Sequence, residues 1–179
     1  MSRSPSRARA LTVAAVIAAL YAVLGYFGNI FSLTFGAVQI RFAEALTVLP
    51  FFFPSAVSGL TIGCLITNLA SPFGPLDVIF GTLATAVAAM LTRRVKKPWL
   101  APLPPILTNL VVLPTIWAWT EVGAINEAFR AVWIFNASTF LLGQTVACYG
   151  LGLLLLRTIP RIKPLREMAA RAQRDHNPR

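Results

Sequence analysis

Acidic side chains are scarce in this 179-residue chain, with six Asp and Glu against sixteen Lys and Arg. Histidine is scarcer still: His176 stands alone in the polar tail, which excludes His-ligated metal clusters and a Ser-His-Asp triad. The two cysteines, Cys64 and Cys148, each lie in an apolar stretch with no CxxC or framework spacing, so they read as small core residues. A Walker A loop is absent, so this chain does not bind ATP through one. Charged residues make up only 12% of the chain, whereas 56% is hydrophobic and the mean hydropathy is +0.69. That balance lies far outside a water-soluble domain. The surplus of +10 sits in the tails and one short loop between apolar runs, a distribution that follows membrane topology and implies no nucleic-acid partner.

What is present is long apolar runs, at roughly 10–28, 42–70, 76–92, 99–119 and 131–156. Crossing a hydrocarbon core of about 30 Å takes about 20 such residues. The second run is too long for one helix. It contains Pro50 and Pro54, and proline both lacks a backbone donor and clashes inside a helix, so the run divides. The sequence predicts an all-α integral membrane protein with six transmembrane helices over 1–160, at about 10–28, 40–53, 55–70, 76–92, 99–119 and 131–156. The Arg-rich start of the first helix resembles a signal peptide, but with no clear cleavage site it reads as a mature helix. Lys and Arg accumulate on the cytoplasmic side. Arg3, Arg7 and Arg9, then Arg93, Arg94, Lys96 and Lys97, then the tail from Arg157 share one side if four crossings separate the first two islands and two more follow. Both termini are then cytoplasmic, and 161–179 is a basic tail, solvated, lipid-facing or partner-facing, and partly helical from Glu167 to Ala172. The loop 119–130, with Glu121 and Glu127, faces outside.

Between Arg9 and Arg93 the only charged residues are Arg41, Glu44 and Asp77, and ionisable groups inside a membrane are costly enough to mark function. Arg41 and Glu44, three apart and next to Gln39, share one face at the outer start of the second helix. Two readings stand: a site whose carboxylate accepts paired N–H groups from a ligand while Arg41 orients it, or an ion pair that neutralises itself. Asp77 opens the fourth helix on the same side, as a ligand contact or a cap at the positive helix end. Asn68 ends the third helix beside it. Asn109 and Gln144, nearer the midplane, read as amides that bond between helices. Trp117, Trp119 and Trp133 flank the acidic loop, and Tyr26, Phe27 and Phe31 follow the first helix, as an interfacial belt or a stacking wall over a planar ligand. Ala10, Ala14, Ala18 and Ala22 repeat every four residues along the first helix, a small-residue face for close helix packing or for a partner.

Several segments together resemble a known family. The runs Ala14-Ala15-Val16-Ile17-Ala18-Ala19-Leu20-Tyr21-Ala22, Gln39-Ile40-Arg41-Phe42-Ala43-Glu44-Ala45-Leu46-Thr47-Val48-Leu49-Pro50-Phe51-Phe52, Gly59-Leu60-Thr61-Ile62-Gly63-Cys64-Leu65-Ile66-Thr67-Asn68 and Asp77-Val78-Ile79-Phe80-Gly81-Thr82 are similar to the QueT family, as is Pro102-Leu103-Pro104-Pro105-Ile106-Leu107-Thr108-Asn109. The resemblance weakens in the sixth helix, where Gly143-Gln144 replaces a Gly-Glu pair. It implies no enzyme but the substrate-binding S component of an energy-coupling-factor (ECF) transporter in a prokaryotic cell membrane. Such a subunit captures a queuosine precursor, a 7-deazaguanine base. It delivers the base against a transmembrane coupling subunit driven by two ATPase subunits, which alone use ATP. The resemblance maps partner docking to Ala14, Ala18 and Ala22. Glu44 is the first candidate to read the base and Asp77 the second, with Gln39, Arg41 and Asn68 beside them. The competing classes are an S component for another vitamin-like compound, a self-sufficient carrier in which Glu44 or Asp77 relays protons, and a small membrane transferase.

Overall fold

The computed structural model describes residues 4–31 and 41–176. It is 87% helix, with no strand among the described residues. Helix α1, Ser4–Ile30, is followed by a 3-10 helix, Phe42–Phe51, and then by α2, Ala56–Asn68. Three long apolar helices come next: α3, Gly74–Arg94; α4, Leu103–Val122, entered through the turn Pro98–Leu100; and α5, Glu127–Arg161. A final helix α6, Lys163–His176, closes the described chain. Helices α1, α3, α4 and α5 are long and apolar enough to span a membrane, so the chain is a multi-pass membrane protein. Their outward faces carry large apolar side chains, among them Leu11, Val111 and Leu142, each about two-thirds exposed, as a lipid-facing surface requires.

The divided run is helical on both sides of Pro54, but its first half is a 3-10 helix, a form rarely sustained beyond one turn. Length supplies the reason. At about 2.0 Å per residue, ten 3-10 residues advance about 20 Å, the same as the thirteen α-helical residues of α2 at about 1.5 Å each. Register shows why that reach matters. A Cβ on Gly59 would stand 2.6 Å from the Ala14 carbonyl oxygen, one on Gly63 would stand 2.8 Å from that of Ala18, and Gly25 abuts Thr67. Position rises along both helices together, so α1 and α2 are parallel, and the 3-10 helix between them carries the chain back along the bundle. Eight of its ten residues, Ala43 to Pro50, are buried, which makes it the central strut. Leu46, Leu49 and Phe53 pack there with Ile17, Tyr21, Leu60 and Cys64.

The same register places the small-residue face of the first helix. Ala14 and Ala18 are buried against Gly59 and Gly63, and Ala22 is half-buried, so this face forms the α1–α2 seam. The loop expected over 119–130 also shrinks to 123–126. Gly123 closes α4 in the left-handed region, φ 72°, with its N–H on the Trp119 carbonyl, and Asn126 caps α5 by accepting the Phe129 N–H at 3.0 Å. The basic tail, expected to be partly helical, forms a helix from Lys163 to His176. In α6, Leu165, Met168, Ala169 and Ala172 recur at helical spacing and pack on the core beside Phe53 and Ile159, with Arg166, Arg171 and Arg174 outward.

Candidate functional site

The 3-10 helix places its one acid, Glu44, at the centre of the bundle, where it is fully buried. A carboxylate only accepts hydrogen bonds. Accordingly three donors from three helices converge on it: the Tyr21 hydroxyl of α1 on Oε1 at 2.6 Å, and on Oε2 the side-chain amides of Gln144 from α5 at 3.0 Å and Asn109 from α4 at 3.3 Å. Its own backbone carbonyl accepts the Thr47 hydroxyl at 2.6 Å and the Cys148 thiol at 3.4 Å. Asn109 and Gln144 do bond between helices, but the group they bond is the candidate carboxylate itself.

A second network adjoins the first at the start of the 3-10 helix. Arg41 donates to Asn68 Oδ1 at 3.0 Å, and the Asn68 amide donates to the Asp77 backbone carbonyl at 3.2 Å and to the Cys64 sulfur at 3.4 Å. Asn68 therefore ties the 3-10 helix to α3 in addition to ending α2. Asp77, fully buried in the first turn of α3, accepts the Ser71 hydroxyl on Oδ2 at 2.6 Å, so its carboxylate is held from outside the helix and does not cap it. From Asp77 to Gly81 the helix widens to π geometry, and a second π segment, Val146–Gly152, follows Gln144. Such widened turns frequently accompany functional sites. Gly81 lets Asn68 and Asp77 approach: a Cβ there would lie 2.9 Å from the Asn68 amide nitrogen and 3.1 Å from Asp77 Oδ1.

These side chains leave polar atoms over. Asp77 Oδ1, Asn109 Oδ1, Gln144 Oε1, Thr82 Oγ1 and Trp117 Nε1 are buried without a hydrogen-bond partner. The cause is plain for the two amides. Each turns its NH2 to the Glu44 carboxylate, which leaves the carbonyl oxygen facing elsewhere. A buried polar atom left unbonded costs about 1–3 kcal/mol. Trp117, expected in an interfacial belt, is fully buried, with its ring 5.3 Å from Phe73 and 5.6 Å from Phe140. It lies two helical turns beyond Asn109 on one face of α4, with Leu113 between them, and Phe140 stands one turn before Gln144 on α5. Trp119 is about half exposed, and Trp133 gives its indole N–H to Thr115 at 3.0 Å. The prominent hollows among the described residues, about 170 to 360 Å³, have none of these interior groups in their walls.

Of the sequence candidates, Arg41, Glu44, Asn68 and Asp77 thus meet in two adjoining buried networks, and Gln39 lies outside the described residues. Tyr21, Asn109 and Gln144 were not legible as site residues, and Trp117 was open to either an interfacial or a stacking role. The available signal was polarity in the middle of apolar helices, which internal packing explains equally well.

Comparison with known proteins gives these residues a setting. The family model described as QueT transporter matches residues 11–161. The queuosine precursor transporter QueT of Lactococcus lactis subsp. cremoris (strain MG1363) is 38% identical over 73 residues, 41% of this chain. That match spans 43% of the relative's length. No solved structure matches. With the family model spanning every apolar helix and both buried networks, the chain belongs to the QueT transporter family.

Proposed function

We propose that this chain is the substrate-binding S component of an ECF transporter in a prokaryotic cell membrane, and that its cargo is a queuosine precursor, a 7-deazaguanine base. The observation that carries the reading is the set of buried atoms without partners: three side-chain carbonyl or carboxylate oxygens, a hydroxyl and one indole N–H. A guanine-like base is their complement, with adjacent N–H donors along one edge and a carbonyl acceptor beside them. Asp77 Oδ1 and the oxygens of Asn109 and Gln144 accept from the base, and Trp117 supplies an aromatic face and a donor. Glu44 acts one step back. Both its oxygens already receive protein donors, so it orients the two amides, while Arg41 and Asn68 hold the Asp77 turn in place. These groups are buried, so the base reaches them only from within the bundle.

The topology supports the same reading. The start of α1, the end of α3 and α6 border one hollow, so the three basic islands gather at one end, as six crossings with cytoplasmic termini require. With Ala14 and Ala18 in the α1–α2 seam, the surface that α1 offers a coupling subunit is the neighbouring stripe of Leu11, Ala15, Ala19 and Val23. ATP hydrolysis belongs to two partner ATPases. Reconstitution into liposomes tests the assignment. Uptake of a labelled 7-deazaguanine base is expected only when the coupling and ATPase subunits and ATP are supplied. Uptake by the purified chain under a proton gradient alone would establish a self-sufficient carrier and overturn it.

A further inference from the structure

We infer that the basic end of the bundle carries a separate site for an anionic phospholipid. A groove of about 360 Å³ lies there, between the first turns of α1, the Phe53–Ser55 turn, the end of α3 and the inward face of α6. Its walls divide by chemistry. Arg7, Arg9 and Arg93, all exposed, supply its charge; Val13, Phe53 and Met168 supply its apolar surface. Among the described residues no Asp or Glu lines the groove. Guanidinium groups take phosphate through paired N–H bonds. A free phosphate or nucleotide would use the arginines and leave the apolar surface bare to water. A phospholipid uses both halves, placing its phosphate among the arginines and the upper part of an acyl chain along Val13, Phe53 and Met168. The position suits it, because basic pockets at the cytoplasmic ends of membrane helices meet the leaflet richest in anionic lipid.

The groove is distinct from the Glu44 and Asp77 networks, and neither set of residues enters the other. Helix α6 gives it a consequence. This helix supplies Met168 and Ala172 to the wall and packs on the core through Ala169, so a lipid seated here pins α6 against the bundle.

Native mass spectrometry of the full chain, delipidated in detergent and titrated with dioleoylphosphatidylglycerol or dioleoylphosphatidylcholine, reads the site directly. One phosphatidylglycerol is expected to stay bound under conditions that strip phosphatidylcholine, and millimolar inorganic phosphate is expected not to displace it. Replacing Arg7, Arg9 and Arg93 together by Gln is expected to weaken retention about tenfold or more. The matched variant, with Gln at Lys96, Lys97 and Lys163, removes the same charge from exposed positions outside this groove and is expected to bind as the parent does. Equal retention of the two lipids, or equal loss in both triple variants, would reduce the effect to bulk charge and overturn the site. Full displacement by phosphate would leave an anion site without a lipid and overturn it equally. All six positions are surface cations, so a thermal melt that matches the parent's confirms that each variant is folded.

Discussion

An acceptor-only group in a dry interior decides the orientation of every donor around it, and Glu44 does this for Tyr21, Asn109 and Gln144. Hydrogen bonds to a charged group contribute about 1.5–3 kcal/mol each. Gln144→Leu removes one such bond and one buried oxygen that has no partner in the protein. It is expected to lower stability by about that amount and to weaken cargo binding as well, measured by thermal melting and by titration. Asp77→Asn separates the two effects. The amide still accepts from Ser71, so stability falls little, but the loss of charge at Oδ1 is expected to weaken the base by about tenfold or more, a cost of about 1.4 kcal/mol per factor of ten. Rarity made this part of the site legible: three ionisable residues in some eighty cannot pass unnoticed, and all three are buried at the junction of the networks. The amides were not legible as ligand contacts. Their role depends on which way each NH2 turns, and only the carboxylate across the bundle sets that.

Among the elements, the 3-10 strut and the glycine seam make the interior possible. Proline positions announced a break in the long run, but a 3-10 helix answers a tertiary requirement, namely the distance back along α1, that local residue types do not encode. The hairpin between α4 and α5 was readable in principle. Gly123 followed by Asn126 and Glu127 is a stop signal beside a start signal, and the acidic residues of this stretch suggested an open loop instead. The seam yields a sharp prediction. Gly63→Val would drive its Cβ into Tyr21 and the Ala18 carbonyl, and overpacking of this kind costs about 1–3 kcal/mol. Tyr21 is a donor to Glu44, so the variant is expected to lose cargo affinity along with melting temperature. Gly123→Ala, strained only by its left-handed backbone and open on all sides, is expected to cost about 1 kcal/mol and leave binding unchanged.

For the whole molecule, the proposed role requires that the four long apolar helices and the two short helices, Phe42–Phe51 and Ala56–Asn68, all cross the membrane, with the basic islands at one end on the cytoplasmic side. Impermeant thiol labelling in intact cells checks it. Native Cys64 and Cys148 are buried and are expected to stay unlabelled, Ile125→Cys, at a position 81% exposed between α4 and α5, is expected to label from outside, and Lys96→Cys only after permeabilisation. Labelling of Lys96→Cys in sealed cells would break the six-crossing account. Hydropathy carried the all-helical, multi-pass character because lipid imposes it on the chain; the docking of α6 was not apparent because its many Arg and Lys mask a narrow apolar stripe. The most direct test of the central claim, that the partnerless buried atoms grip a nitrogenous base, is titration of the purified chain with a 7-deazaguanine base beside its Asp77→Asn variant. The account predicts saturable one-to-one binding that the variant weakens about tenfold or more while still folded. Absence of binding to the parent, or equal affinity in both proteins, would contradict it.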